Sequence, residues 1–237
     1  ISNVNSIING VDYTVKGESY TRNFIIGTTK YGTGSNANLR SILIYLFPQV
    51  KIVNIYDRET EDFLENTIYI LEAETNYIFN TFYQETDSLK IDGIFITTLP
   101  NNLFIKNVVK KKKEVRFINF YDQDEESNLE IMKNYLFLKE LNLSDFYDEL
   151  NKFDKIRSFA SRCVLIANKN ANVDDIYYLT KKIFENNTLL YEKLINKKSI
   201  TDDFDPVEMT YIDKILPIHE GAHKYFKEIN LITNNEK

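Results

Sequence analysis

The chain is poor in the residues that most often carry chemistry. Its 237 residues include one cysteine, two histidines, seven glycines, four prolines and no tryptophan. The single cysteine, Cys163, excludes an intramolecular disulfide, and no apolar run approaches the roughly 18 residues that indicate a membrane helix. A formal net charge of −6 gives no general attraction to nucleic acid. We therefore expect neither nucleic-acid binding nor direct membrane insertion.

Apolar residues make up 43% of the chain, enough to build a core for one domain or for two lobes. Short apolar runs alternate with segments of helical periodicity, a pattern that predicts an α/β fold with a parallel or mixed sheet flanked by helices. The predicted strands are 23–26, 50–55, 91–96, 115–120 and 156–167. The predicted helices are 35–47, one or two within 58–87, 101–112, 126–138 and 174–194, with a loop from Gly27 to Gly34.

The same pattern gives a predicted domain organisation. Residues 1–19 are polar and weakly patterned, so they are expected to form a tail or linker. Residues 20–155 are expected to form an α/β lobe with a glycine-rich ligand loop. Residues 156–237 are expected to supply a hinge strand and C-terminal helices that complete the other lobe.

The segment His219–His223 matches H-E-x-x-H, the pattern in which two histidines on one helical face bind zinc. A catalytic zinc needs three protein ligands, however, and these are the only two histidines of the chain. Gly221 also weakens the helix that would hold both imidazoles. The alternative is a short amphipathic helix that follows Pro217. Its apolar face would be Ile218, Ala222, Tyr225, Phe226 and Ile229. We predict no catalytic residue, no metal and no cofactor.

The glycine-rich segment Gly27–Ser35 has four possible interpretations. It fails as a P-loop, because Thr33 stands where the phosphate-binding lysine belongs. It is closer to a dinucleotide fingerprint that ends at Ala37, with Asp57 following about 20 residues later. Five residues nevertheless separate Gly32 from the end of the predicted strand. The segment also suits a carboxylate site, in which free N–H groups at the start of the helix act with nearby hydroxyls. A plain structural loop stays open as the fourth interpretation.

Several short sequence motifs of this chain occur in the same order in one known family. They are Val15–Gly17, Gly32–Ser35, Ile91–Phe95 with Thr97–Pro100, Val173–Tyr177 with Thr180–Lys181 and Phe184–Asn186, Asp205–Met209, and Pro217–Ala222 with Tyr225, Lys227 and Glu228. Together these segments resemble the TAXI-type solute receptors of TRAP transporters. The C-terminal motif is the most specific of them.

The resemblance implies a type II fold like that of periplasmic binding proteins, with a mixed sheet flanked by helices. It implies two lobes, the first incomplete because the family's first strands have no counterpart here. It further implies a periplasmic or otherwise extracytoplasmic receptor that binds a small carboxylate, glutamate-like or dicarboxylate, between the lobes. The implied partners are TRAP-type membrane permease subunits. We expect no signal segment within this sequence. The alternative is a non-catalytic interaction protein that keeps the scaffold without a working ligand cleft.

Ligand-binding residues follow from the resemblance by position. Thr33, Gly34, Ser35 and Asn36 would hold a carboxylate at the start of the helix, Thr97 and Thr98 would line the floor of the cleft, and Arg157 or Arg162 would counter the ligand's charge. The two arginines are five residues apart on a predicted strand, so at most one of them should face the cleft. Each arginine is equally compatible with a surface ion pair.

Overall fold

A computed structural model describes residues 7–58, 62–83, 90–99, 102–111, 115–118, 136–147, 155–161, 164–187, 189 and 216–232. The chain divides into two compact units, Ile1–Ser161 and Arg162–Lys237. The division expected after residue 155 lies inside the first of these units.

The first unit begins with a β-hairpin. Strand β1 (Val11–Val15) pairs antiparallel with β2 (Glu18–Arg22). The turn residues Lys16 and Gly17 have φ angles of 51° and 90°, and two successive positive φ values favour a type I′ turn, which matches the twist of the paired strands. The prediction of a tail or linker over residues 1–19 is therefore wrong for residues 11–19, which form β1, the turn and the start of β2. One face of this hairpin carries Val11, Tyr13, Val15 and Tyr20, but most of its residues are exposed, so a search for buried apolar runs does not find its strands.

A parallel sheet of four strands forms the centre of this unit, in the order β4-β5-β3-β6. The strands are β3 (Ile25–Thr29), β4 (Lys51–Asn54), β5 (Thr67–Ala73) and β6 (Gly93–Ile94). The backbone bonds Asp92 N to Ile25 O and Phe95 N to Gly27 O, both 2.9 Å, extend the pairing of β6 on either side.

Helices cover both faces of this sheet. The chain leaves β3 through α1 (Gly34–Leu46) and leaves β5 through α2 (Thr75–Tyr83). In one core cluster, Leu39 and Leu43 of α1 pack against alternate residues of β3 and β5. In a second cluster, Ile78 of α2 packs against the intervening residues of the same two strands. Alternate residues of a strand point to opposite faces, so the two helices lie on opposite sides of the sheet. The predicted α/β class with helices flanking a parallel sheet is confirmed.

Strand β5 occupies a stretch that was predicted to be helical. Leu64, Ile68 and Leu71 have helical spacing, yet Thr67–Ala73 pairs with β3 on one side and β4 on the other. A central strand covered on both faces is an unbroken apolar run, and such a run contains helical spacings by chance. The helix expected in this region is α2, which follows the strand directly.

Strand β3 continues through Gly27 to Thr29, although a loop was expected to begin at that glycine. A Cβ at Gly27 would lie 2.5 Å from Cγ2 of Ile78 and 3.1 Å from Cδ1 of Ile91. The glycine therefore lets α2 approach the sheet closely.

The remaining elements of the first unit are a helix and a strand pair. Helix α3 spans Leu103–Lys111, within the helix predicted over 101–112. Strand β7 (Leu136–Leu141) pairs antiparallel with β8 (Ile156–Ser161). The helix predicted over 126–138 is wrong for its last three residues, because β7 begins at Leu136. The earlier residues of that prediction lie outside the described ranges. The strand predicted over 156–167 ends at Ser161, and residues 164–167 carry no strand. Residues 115–118 likewise carry none of the strand predicted there, and residues 119–120 lie outside the description.

The second unit contains two packed helices, α4 (Val173–Glu185) and α5 (Glu220–Glu228). Asn172 caps α4, because its Oδ1 accepts the amides of Asp174 at 2.9 Å and Asp175 at 3.2 Å. The ring of Phe184 lies 5.6 Å from that of Tyr225 and 5.4 Å from that of Phe226. None of the helices in the described ranges combines the length and apolar character that crossing a bilayer requires.

Candidate functional site

The carboxyl ends of the four parallel strands meet at one edge of the sheet. At this edge α1 and α2 leave the neighbouring strands β3 and β5 toward opposite faces. Such a switch point is where open α/β sheets place their ligands, because the two diverging connections leave a crevice between them. The candidate site is therefore the group of side chains at this carboxyl edge.

The start of α1 presents backbone N–H groups at the carboxyl edge. Thr33 is the N-cap, with extended φ and ψ of −83° and 157°. Its Oγ1 accepts the amide of Asn36 at 3.4 Å and donates to the carbonyl of Lys30 at 2.7 Å. The amides of Gly34 and Ser35 occupy the first two helical positions and have no acceptor within the helix. This helix start favours an anion, through its free donors and its partial positive charge.

The structure brings two of the sequence-predicted segments together. The amide of Thr97, which follows β6, donates to Oγ of Ser35 at 2.9 Å. Asn38 Nδ2 donates to Thr97 Oγ1 at 3.1 Å, so the start of α1 and the end of β6 are tied by two bonds. Thr98 is exposed beside them, and its Oγ1 accepts from Asn102 Nδ2 at 2.7 Å.

Asn36 lies under the helix and is only 1% exposed. Its Nδ2 donates to the carbonyl of Thr29 and to Oε1 of Glu72, both at 3.0 Å. Its Oδ1 accepts from Nε of Arg40 at 2.9 Å. The side-chain amide is therefore committed to fixing the loop after β3 against β5.

Glu72 and Arg40 form an ion pair at the carboxyl edge that sequence reasoning missed. Arg40 Nη2 lies 2.6 Å from Glu72 Oε1. Burial alone would raise the pKa of Glu72, but hydrogen bonds from Arg40 and Asn36 and the charge of Arg40 together hold that pKa below its usual value. Two features of the sequence could have indicated this pair. Asn36 and Arg40 are spaced i, i+4 on the predicted helix, and Glu72 is a single acidic residue at the end of an apolar run.

Acid is expected to weaken the fold through Glu72. Because its pKa is lower in the folded chain than in the unfolded chain, its contribution is complete above the ordinary carboxyl pKa of roughly 4.3 and is lost as pH falls through the lowered value. Urea unfolding between about pH 6 and about pH 3 should show a smaller loss for Glu72→Gln than for the wild type. The exposed Glu74→Gln is the matched control, and an equal pH slope in all three proteins would contradict the assignment.

The two predicted arginines have different outcomes. Arg157 Nε lies 3.5 Å from Oε2 of Glu140 on the paired strand, and Lys155 Nζ lies 2.6 Å from Oε1 of the same carboxylate. The hydrogen bond from Lys155, then its charge, and then Arg157 lower the pKa of Glu140. Arg157 thus takes part in an ion pair of the β7–β8 strands, and its role toward a ligand stays a prediction. Arg162 lies outside the described residues.

His219 does not sit on the helix that the zinc pattern requires. It is the N-cap of α5, and its Nδ1 accepts the amide of Gly221 at 3.1 Å. The lone pair of Nδ1 is therefore used by the backbone amide and is not available to a metal. In the described ranges, no group of three or more histidine, cysteine, aspartate or glutamate residues is placed to hold a metal ion. The donor set does not fit a zinc site.

Removing the cap at His219 is expected to weaken α5. His219→Ala leaves the Gly221 amide without its acceptor and should cost about 1 kcal/mol, whereas His219→Asn keeps a capping oxygen and should cost less. Thermal unfolding followed by circular dichroism measures the difference. His223→Ala removes the other histidine of the motif without touching the cap. Equal losses in His219→Ala and His223→Ala would show that the cap contributes nothing.

The strand order also bears on the dinucleotide interpretation. That fold places its acidic residue at the end of the strand next to the glycine loop. Here Asp57 follows β4, and β5 lies between β4 and β3, so two strand spacings, about 10 Å, separate the two positions. Strand β3 does end at Thr29, nearer to Gly32 than predicted, but the acid is on the wrong strand. The arrangement does not support dinucleotide binding.

Comparison with known proteins gives one positive result. No curated protein and no solved structure matches the chain. The model of the NMT1-like family matches residues 60–229, more than two thirds of the sequence. The matched range contains β5, Thr97, Thr98 and Arg157, whereas the start of α1 lies before it. The chain therefore belongs to the NMT1-like family, a family of periplasmic solute-binding proteins that are generally not enzymes.

Proposed function

We propose that the protein is the extracytoplasmic receptor of a TRAP-type transporter and binds a small carboxylate, either glutamate-like or a dicarboxylate. The hydrogen bond between Thr97 N and Ser35 Oγ carries the proposal. It sets the end of β6 against the start of α1, where free N–H groups converge. Membership of a solute-binding family supports the role of receptor.

The ligand's carboxylate would lie at the start of α1 and accept the amides of Gly34 and Ser35. Hydrogen bonds from N–H groups to a charged acceptor are stronger than those to a neutral one, so no arginine is needed at this point. The hydroxyl of Thr98 would complete the site from β6. Transport then requires only binding and a closed form that the permease subunits recognise.

Substitutions at Gly34 provide a direct test of the carboxylate site. Gly34 is the first helical residue, where proline is tolerated, and Thr33 before it already has the extended backbone that a following proline requires. Gly34→Pro therefore deletes one amide donor while the helix is kept. A charge-assisted hydrogen bond contributes about 1.5–3 kcal/mol. Titration calorimetry with glutamate and succinate should therefore show roughly tenfold or greater weakening.

Gly34→Ala is the matched control, because it keeps the amide and its Cβ would meet no atom within 4 Å. It should bind carboxylates as tightly as the wild type. Equal affinities of the proline and alanine variants would remove the amide from the site. Failure of the wild type to bind any carboxylate would overturn the proposed function.

A further inference from the structure

Each of the three loops that follow β3, β4 and β5 places one exposed tyrosine at the carboxyl edge. Tyr31 follows β3, Tyr56 lies in the 3-10 turn after β4, and Tyr77 lies in the first turn of α2 after β5. Their exposed fractions are 77%, 68% and 50%. Rings with one apolar body and one polar tip are enriched where a protein binds another molecule. We call these three residues the tyrosine edge.

The tyrosine edge is connected to the polar groups of the candidate site. The guanidinium carbon of Arg40 lies 5.7 Å from the centre of the Tyr31 ring, and Arg40 also holds Glu72. Tyr56 and Tyr77 are neighbours. The pKa of Tyr56 is raised mainly by partial burial, and to a smaller extent by the electrostatic interaction and the hydrogen bond with the Tyr77 side chain. Tyr31 thus adjoins Arg40, which binds Glu72 of β5, and Tyr56 after β4 adjoins Tyr77 after β5.

An exposed ion pair lies at the same switch point. Lys30 follows β3 and Glu74 follows β5, at the ends of strands whose last residues, Thr29 and Ala73, are register partners. Lys30 Nζ lies 2.6 Å from Glu74 Oε1, and the two side chains are 64% and 75% exposed. An ion pair this exposed contributes little to stability, so a ligand can contact both charges without a large cost to the fold.

The charges of this surface favour a ligand with no net charge. Lys30 and Arg40 balance Glu72 and Glu74, whose carboxylates would repel a second acidic group on the ligand. An amino acid's head group carries one negative and one positive charge on the same carbon atom. It can place its carboxylate beside Lys30 and its ammonium beside Glu74, while a ring on its side chain contacts the tyrosines.

We propose that the tyrosine edge and the Lys30–Glu74 pair recognise a zwitterionic amino acid that carries an aromatic side chain. The inference rests on the receptor role in the proposed function, and it replaces the glutamate-like or dicarboxylate ligand at the same carboxyl edge with an amino acid that has no second acidic group. It differs from a dicarboxylate in requiring an ammonium group, and from both a glutamate-like ligand and a dicarboxylate in requiring a ring and no second carboxylate.

Titration calorimetry on the full chain tests the inference with three related probes. L-Phenylalanine contains all the required groups, 3-phenylpropionate lacks the ammonium, and phenethylamine lacks the carboxylate. We expect phenylalanine to bind at least about tenfold more tightly than either analogue, because each analogue leaves one charge of the Lys30–Glu74 pair without its partner. Equal or tighter binding of 3-phenylpropionate would overturn the inference without the need for a variant.

Variants then locate the binding surface. Tyr31→Ala and Tyr77→Ala should each weaken phenylalanine binding by about fivefold or more, since each removes a ring contact. Tyr20→Ala is the matched control: Tyr20 is also exposed but lies in the hairpin before the amino end of β3. Lys30→Glu and Glu74→Lys should each cost about tenfold, and the double variant, which restores an opposite-charge pair, should recover most of the loss. Unchanged phenylalanine affinity in both tyrosine variants would overturn the inference.

Glutamate and succinate are titrated in parallel to separate the two proposals. If they bind in a manner sensitive to Gly34→Pro while phenylalanine does not bind, the inference fails and the proposed function stands. If phenylalanine binds as described and the dicarboxylate does not, the inference stands and the dicarboxylate alternative is removed. If no probe binds, both proposals fail.

Discussion

Gly221→Ala is expected to lower the free energy of unfolding by about 3 kcal/mol. A Cβ at this position would lie 2.3 Å from the carbonyl oxygen of Val173 and 2.8 Å from the amide nitrogen of Tyr177. Both atoms belong to the backbone of α4, so no side-chain rotation relieves the overlap. The two helices must separate, which loosens the ring packing around Phe184. This loss outweighs the roughly 1 kcal/mol that alanine adds through helix propensity.

Urea unfolding followed by far-ultraviolet circular dichroism measures this effect. Gly34→Ala makes the same chemical change near the start of another helix, where the new Cβ meets no atom within 4 Å. It should be neutral or slightly stabilising. Wild-type stability in Gly221→Ala would show that α4 and α5 do not approach as closely as the structure has them.

Asp92→Ala is expected to cost about 3 kcal/mol, the lower end of the range for breaking a buried ion pair. Arg22 donates to both carboxylate oxygens of Asp92 at 2.6 Å, and the side chains are only 20% and 8% exposed. Asp92 Oδ2 also accepts the amide of Ile25 at 3.0 Å. Truncation therefore leaves a mostly buried guanidinium without its counter-charge, with the carbonyl of Asn23 as its remaining acceptor at 3.2 Å, and it removes the acceptor of the Ile25 amide.

The same unfolding measurement tests Asp92→Ala against two other variants. Asp92→Asn keeps an acceptor oxygen and should lie between the wild type and the alanine variant. Glu140→Ala removes a carboxylate whose ion pair with Lys155 is exposed, and it should change stability little. If Asp92→Ala lowered the free energy of unfolding as little as Glu140→Ala does, the Arg22–Asp92 ion pair would not stabilise the contact between the hairpin and the start of β6.

Local sequence was sufficient to predict those elements whose apolar residues repeat at a spacing typical of only one kind of secondary structure. Helix α1 was predicted within one residue at each end, because Leu39, Ile42, Leu43 and Leu46 repeat at helical spacing and Pro48 follows. Strand β5 was missed because a strand buried on both faces has no polar alternation to reveal it. The β1–β2 hairpin was missed for a different reason, since its strands are short and mostly exposed and its turn signal is a single glycine.

The candidate site divides in a similar way. Thr33, Gly34 and Ser35 at a helix start and Thr97 at a strand end were named from the sequence, and the structure brings Ser35 and Thr97 together. Their role toward a ligand remains a proposal. Glu72, Glu74 and Arg40 were missed, because β5 lies beside β3 only through the strand order of the sheet. Strand order depends on tertiary packing, which no local pattern of residues encodes.

The His219–His223 segment shows how a motif depends on where its helix begins. The pattern requires both imidazoles on one helical face, but α5 starts at Glu220 and leaves His219 as its cap. Gly221, which counted against a rigid zinc helix, is explained by the close approach of Val173. The specificity of this segment thus comes from the packing of two helices.

The position of β3 in the chain has a consequence for how the protein is made. It is the first strand of the parallel sheet in chain order, yet its partners are β5 and β6, and its Ile25 amide bonds to a residue 67 positions later. The parallel sheet cannot close until β6 has also been synthesised, and such long-range pairing is slow. Until that last partner arrives, the apolar strands of the sheet stay unpaired, and unpaired strand edges are prone to aggregate.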